Sequence, residues 1–154
     1  MEAVAEIRRI KARVEAERLP RGADARRHVK LGRGGTSDVE FTVQLLQLQH
    51  AGTVPALRTA STGEALVAAR AAGLIADADA AALETAGRTA SRLRDAMTLW
   101  RGRATDLLPT DRRDLDGIAR LMGYAPGMAS TLEEDWLRAA RHARGVVERV
   151  FYGW

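Results

Sequence analysis

The chain has 154 residues, enough to bury one core without disulfide or metal staples. It contains no cysteine, which excludes disulfides and thiolate metal ligands, and no apolar run approaches the roughly 20 residues that cross a bilayer. Lysine and arginine outnumber acids 24 to 20, and residues 1–33 hold 10 basic and 5 acidic side chains, so the surplus sits there. This reads as a soluble, cytoplasmic protein whose basic N-terminal segment suits a negatively charged partner.

The apolar pattern is helical almost throughout. Val4, Ile7, Ile10 and Val14 recur at steps of three and four and predict a lead-in helix over 1–18, ended by Pro20 and Gly22. Residues 19–36 read as a Gly/Arg-rich loop with almost no apolar content, a length that is usually functional or disordered inside a compact domain. A second helix is expected from Ser37 to His50, with Ser37 and Glu40 at capping-box spacing. Phe41, Val43, Leu45, Leu46 and Leu48 make it apolar over more than half its circumference, which predicts the central helix of the fold.

Ser61 and Glu64 repeat the capping-box spacing before a third helix over 62–72, which Gly73 stops. A fourth runs from Asp77 to Trp100 or Arg101 with the stripe Leu83, Ala86, Ala90, Leu93, Met97 and Trp100. Thr110 is expected to cap a fifth over 111–122, with Leu115, Ile118, Leu121 and Met122 facing inward. Ser130 and Glu133 supply a third capping-box spacing, and Leu132, Trp136, Ala139, Ala143, Val146, Val147 and Val150 form the apolar face of a sixth helix. The aromatic end, Phe151, Tyr152 and Trp154, either packs back or frays. The fold class is therefore all-α: an antiparallel bundle of about six helices. It is expected to be a single domain over 1–154, with a lead-in helix 1–18, a Gly/Arg-rich loop 19–36 and a bundle 37–154.

The densest chemical signal is Lys30-Leu31-Gly32-Arg33-Gly34-Gly35-Thr36-Ser37-Asp38-Val39-Glu40-Phe41. It supports two readings. In one, free backbone amides, the helix dipole, Lys30 and Arg33 gather at a helix N-terminus and favour an anion, with Gly34 and Gly35 letting a phosphate approach. Asp38 and Glu40 then orient the loop or a metal-bound water. In the other, Ser37 and Glu40 cap a helix and the glycines make a turn. The segment is neither a Walker A loop nor a dinucleotide fingerprint.

The same string, with Val43-Gln44-Leu45-Leu46-Gln47-Leu48 after it, resembles the Gly-Arg-Gly-Gly-x-x-Asp-[Ile/Val]-Glu-[Phe/Trp] motif of bacterial glutamine synthetase adenylyltransferases. Pro55-Ala56-Leu57-Arg58-Thr59, Ser61-Thr62-Gly63-Glu64-Ala65-Leu66 and Gly73-Leu74-Ile75 are similar to that family's continuation. Arg9 to Glu15, Pro20 to Gly22 and Arg149 to Gly153 resemble the lead-in helix and C-terminus of its actinobacterial members. The likeness covers nearly the whole chain and is most specific over residues 30–75. Thr36 and Thr42 depart from it, standing where apolar or larger residues are common.

The resemblance implies an enzyme of two fused nucleotidyltransferase modules, each with a helical domain. One half moves AMP from ATP, with Mg²⁺, onto glutamine synthetase; the other removes it. A PII-type signalling protein and glutamine set the balance in nitrogen regulation. The family's catalytic module carries a Gly-Ser turn and a paired Asp-x-Asp that hold metals. Asp77-Ala78-Asp79 and Asp114-Leu115-Asp116 have that spacing but no Gly-Ser turn, and read as helix start and helix face. The chain thus matches only the C-terminal helical domain. It is expected to close the nucleotide cleft of its own N-terminal catalytic module, to dock substrate or to receive regulation, and to be inactive in isolation, with no cofactor of its own.

A stand-alone helical adaptor, binding an acidic protein or nucleic acid through residues 1–33, is the competing reading. The modest net charge and the lack of a reading helix argue against nucleic acid. No metal is expected: His28, His50 and His142 are scattered. Arg88, Arg92, Arg94, Arg101 and Arg103 read as a solvated face or an acidic-docking patch, and Trp100, Trp136 and Trp154 as packing residues.

Overall fold

The computed structural model describes residues 2–154. Among them are six α-helices: α1 (Glu2–Glu17), α2 (Thr36–His50), α3 (Thr62–Ala71), α4 (Asp77–Arg101), α5 (Arg112–Leu121) and α6 (Ala129–Val147). Short 3₁₀ turns cover Ala25–Arg27 and Pro55–Leu57, and a π-helical turn over Glu148–Tyr152 ends the chain. The fold is all-α, as the 3.6-residue pattern requires, and its only strand-like pairing among the described residues is the isolated bridge of His28 with Leu107.

The core has two centres. Val39, Val43, Leu45, Leu46, Leu57, Leu66, Leu83, Val147 and Phe151 form one. Val29, Leu93, Met97, Leu108, Leu115, Ile118, Leu132 and Trp136 form the other. Only α4 and α6 contribute to both. At 1.5 Å per residue, α4 with its 25 residues is about 37 Å long, enough to reach from one centre to the other. The expectation that α2 is the central helix is corrected accordingly: α4 and α6 are the shared spine, and α2 serves one centre. Its Leu48 is 69% exposed. Two other stripe residues are exposed as well: Leu121 at the end of α5, and Trp100, which lies over Gly117 and Asp114 on the outer face of α5.

Of the three serines at capping-box spacing, only Ser61 caps a helix. Ser61 does cap α3, its hydroxyl accepting the Glu64 amide. Glu64 closes the motif differently: its carboxylate accepts the Thr59 hydroxyl, whose oxygen accepts the Ser61 amide. Ser37 is not a cap, because Gly35 starts α2 one residue earlier than expected and Ser37 already lies inside the first turn. Ser130 is not one either. Helix α6 begins at Ala129, and Glu133 is drawn away to Arg27. Helix α5 is capped by Asp111 rather than Thr110; its carboxylate accepts the Arg113 and Asp114 amides. Aspartate is the stronger acceptor for amides at the positive end of the dipole.

Residues 19–36 are no slack loop. The Asp24 carboxylate caps the 3₁₀ turn by accepting the Arg26 amide. The Val29 amide bonds Asp106 O at 2.8 Å and the Leu108 amide bonds Arg27 O at 2.9 Å. Val29, the apolar residue that the polar reading passed over, is fully buried. The Trp136 indole donates to Arg26 O at 3.0 Å, so α6 also holds the segment.

Candidate functional site

Backbone bonds wind the glycine segment into a tight coil. The Gly32 amide donates to His28 O, the Gly35 amide to Gly32 O, the Thr36 amide to Val29 O and the Ser37 amide to Lys30 O, all within 3.0 Å. Gly34 sits at φ +76°, the left-handed region that favours glycine. A Cβ there would lie 1.9 Å from the Ala140 carbonyl oxygen on α6, and one at Gly32 would lie 2.0 Å from Ala25 O. Both glycines are therefore fixed by close approach of main chain to main chain.

The amides expected to cradle an anion are not free. Those of Gly34, Gly35, Thr36 and Ser37 are all spent inside the loop. What the loop offers outward is side-chain charge. Arg33 is exposed and Lys30 half-buried. Neither pairs with a carboxylate among the described residues, in contrast to Arg26 and Arg27 of the same segment, which pair with Asp24 and Glu133.

Asp38 is the anchor of the loop. Its side chain is 1% exposed. Oδ1 accepts the Lys11 ammonium at 2.5 Å; Oδ2 accepts the Gly34 amide at 2.7 Å and the Arg144 guanidinium at 3.2 Å. Lys11, equally buried, also bonds Glu15 at 2.7 Å. Arg144 reaches Glu15 and Glu148, and the Tyr152 hydroxyl donates to Glu15 at 3.1 Å. Three carboxylates and two cations thus join α1, the start of α2, α6 and the C-terminal turn. Lys11 also lies 5.5 Å from the Phe41 ring centroid, and Arg144 the same distance from that of Tyr152. No buried side-chain nitrogen or oxygen lacks a partner among the described residues, the condition under which a buried polar network rigidifies a fold.

The protonation states follow from this arrangement. Burial works to raise the Glu15 carboxyl, and Lys11 and Arg144 outweigh it, leaving it below the ordinary carboxylate range. Burial opposes the charge on Arg144, but Asp38, Glu148 and Glu15 hold its pKa well above the usual guanidinium value. Burial and the Glu15 charge push the Tyr152 hydroxyl up to about 12, so it serves as a donor at neutral pH. Burial lowers His28 despite nearby Asp106, which keeps Nδ1 free to accept the Leu31 amide at 3.1 Å.

The remaining candidates lie nearby or elsewhere. Glu40 is half-buried and borders a groove of about 370 Å³ with Thr36, Thr62, Leu83 and Arg88. Asp77 pairs with Arg70 and Asp79 with Arg149. Asp114 accepts the Trp100 indole and Arg101, and Asp116 accepts the Gly127 amide. Both Asp-x-Asp strings are thus committed to structural contacts. The arginines of α4 are largely spoken for as well: Arg92 donates to Met122 O and Arg94 pairs with Asp106. Lys11 and Arg144 escaped the sequence reading, because their partner Asp38 is 27 and 106 positions away.

The fold and the site define an all-helical domain that presents a main-chain-locked Gly-Arg-Gly-Gly loop. The chain belongs to the GlnD PII-uridylyltransferase family, whose model matches residues 8–152. Among its relatives is the bifunctional glutamine synthetase adenylyltransferase/adenylyl-removing enzyme of Leifsonia xyli, 59% identical over 152 residues, 99% of this chain and 15% of that protein. The proteins of the same name from Streptomyces avermitilis and Mycolicibacterium smegmatis are 57% identical over 152 residues and 52% over 151, again across 15% of their length. The chain therefore spans about 15% of the length of the curated relatives it matches.

Proposed function

We propose that this chain is the C-terminal helical domain of a glutamine synthetase adenylyltransferase/adenylyl-removing enzyme, closing over the nucleotide cleft of a catalytic module outside these residues. The family model is named for uridylyl transfer to PII and the relatives for adenylyl transfer to glutamine synthetase; identity above 50% to the latter favours adenylyl transfer. The observation that carries the reading is the loop. It is locked by Asp38, Gly32 and Gly34, yet it leaves Lys30 and Arg33 without carboxylate partners among the described residues.

In this reading Lys30 and Arg33 contact nucleotide phosphate through their side chains, while Gly34 and Gly35 supply the tight turn. Asp38 orients the loop, since both its oxygens are taken and none is left for a metal-bound water. Glu40, which keeps a half-exposed position at the groove, is the carboxylate suited to a metal-bound water or to docking. ATP, Mg²⁺, glutamine synthetase, a PII-type protein and a cytoplasmic setting belong to the whole enzyme.

The isolated chain mixed with glutamine synthetase, ATP and Mg²⁺ is expected to incorporate no AMP; robust incorporation overturns the non-catalytic assignment. In the whole enzyme, Lys30→Ala and Arg33→Ala are expected to lower kcat/KM for ATP by about tenfold each, as for loss of one charge-assisted contact. Unaltered kinetics in both variants remove the loop from the cleft.

A further inference from the structure

Helix α1 is seated differently from the rest of the bundle. Val4 and Ile7 reach the apolar core, but its polar attachments are long side chains. Arg8 donates to Phe151 O at 2.6 Å, Glu15 accepts Arg144 and Tyr152, and Lys11 enters the interior to meet Asp38. Asp38 in turn holds the Gly34 amide. A continuous set of contacts therefore leads from α1, through one carboxylate, to the backbone of the glycine loop. The loop has no other side-chain bond at Gly34 among the described residues.

We propose that Lys11 is a positioning residue for the glycine loop, so that the seating of α1 sets the loop's conformation through Asp38. The two oxygens of that carboxylate divide the labour: Oδ1 faces α1 and Oδ2 faces the loop. Arg144 supports Oδ2 from α6 and also contacts Glu15 of α1, so it braces both halves. When α1 leaves, the Asp38 side chain loses its closest cation. The carboxylate is then held from one side only, by Arg144 and Gly34 on Oδ2, and rotation of the freed Oδ1 toward water swings Oδ2 off the Gly34 amide. A buried carboxylate that has lost the nearer of its two cations no longer holds one position. Two of the loop's three glycines, Gly32 and Gly34, are wedged against Ala25 and Ala140 and have a single tight geometry to lose. Movement of α1 is thereby converted into disorder at Lys30 and Arg33. The significance of this coupling for phosphate binding rests on the function proposed above; the coupling itself does not.

The test is amide hydrogen exchange by NMR on the 154-residue chain, without nucleotide. Lys11→Met is expected to speed exchange at Gly34 by about 10- to 100-fold, the range for loss of a hydrogen bond to a charged acceptor. The amides of Val43 and Ile118 serve as references for each core centre and are expected to move little. Equal acceleration at Gly34 and Val43 reveals general loosening and overturns the proposal, as does an unchanged Gly34. In an Asp38→Asn background, Lys11→Met is expected to add less than about twofold, because coupled residues are not additive. Full additivity there shows that Lys11 does not act through Asp38 and also overturns it. If Lys11→Met does not fold, Lys11→Gln, which removes the charge but keeps a donor, is read instead: Gly34 is expected to exchange faster than in the parent chain with Val43 and Ile118 little changed, and an unchanged Gly34 overturns the proposal. A responsive Gly34 together with silent Lys30→Ala and Arg33→Ala variants in the whole enzyme would sink the nucleotide reading and leave the coupling standing.

Discussion

Replacing Gly34 with alanine separates two costs that glycine conceals. The residue lies at φ +76°, and the added Cβ would stand 1.9 Å from Ala140 O and 2.7 Å from its Cα, both main-chain atoms that cannot swing aside. The left-handed conformation alone costs about 1–2 kcal/mol for a residue with a Cβ. Forcing the loop and α6 apart adds roughly 1–3 kcal/mol, as for other overpacked sites. Gly34→Ala is therefore expected to lose about 2–5 kcal/mol. Gly22 is the control, with φ +78° and nothing within 4 Å of its virtual Cβ, so Gly22→Ala is expected to show the conformational cost alone, about 1–2 kcal/mol. Urea unfolding followed by tryptophan fluorescence measures both, since buried Trp136 bonds Arg26 O beside the loop. Equal losses for the two variants would refute the reasoning, because the contact with Ala140 would then count for nothing.

Three further outcomes follow from the charged and polar groups. Asp38→Asn keeps an acceptor for Gly34 but leaves Lys11 and Arg144 short of a charge in the interior; a loss of about 3 kcal/mol in urea unfolding is expected. Lowering the pH tests His28: its folded pKa lies below the ordinary 6.5, so the unfolded chain binds the proton more readily. The stability from neutral His28 is full above 6.5 and declines as pH falls from there through the folded value, and a His28→Gln variant is expected to lose that slope. Gly117→Ala places a Cβ 2.5 Å from the Trp100 ring, so the indole is expected to swing out and lose its bond to Asp114, seen as a red-shifted emission while α5 stays intact.

The helices were legible because each carries its own local signature. For α4 the start at Asp77 and an end at Trp100 or Arg101 are legible, and the helix ends at Arg101, since its stripe is long and Gly102 takes the left-handed stop at φ +67°. Capping spacings were a poorer guide. Serine followed three positions later by glutamate marks a helix start only where the serine backbone is extended; Ser61 has that geometry, and Ser37 is already helical. The 19–36 segment looked slack because its partners, Asp106, Leu108 and Trp136, come from far along the chain. Of the candidate site, the charges of Lys30 and Arg33 and the glycine turn were visible in sequence. The occupation of the loop amides was not, since nothing in a one-dimensional string says that Val29 O and Lys30 O fold back onto them.

The chain has two lysines and no cysteine. The Lys11 ammonium is sealed between two carboxylates, and its side chain is 1% exposed. An amine-selective acylating reagent applied to the folded protein is thus left with Lys30 as its lysine target. Apart from the α-amine, a fluorophore or spin label is directed to the glycine loop of the unaltered chain, and the appearance of modified Lys11 reports the moment α1 lifts away.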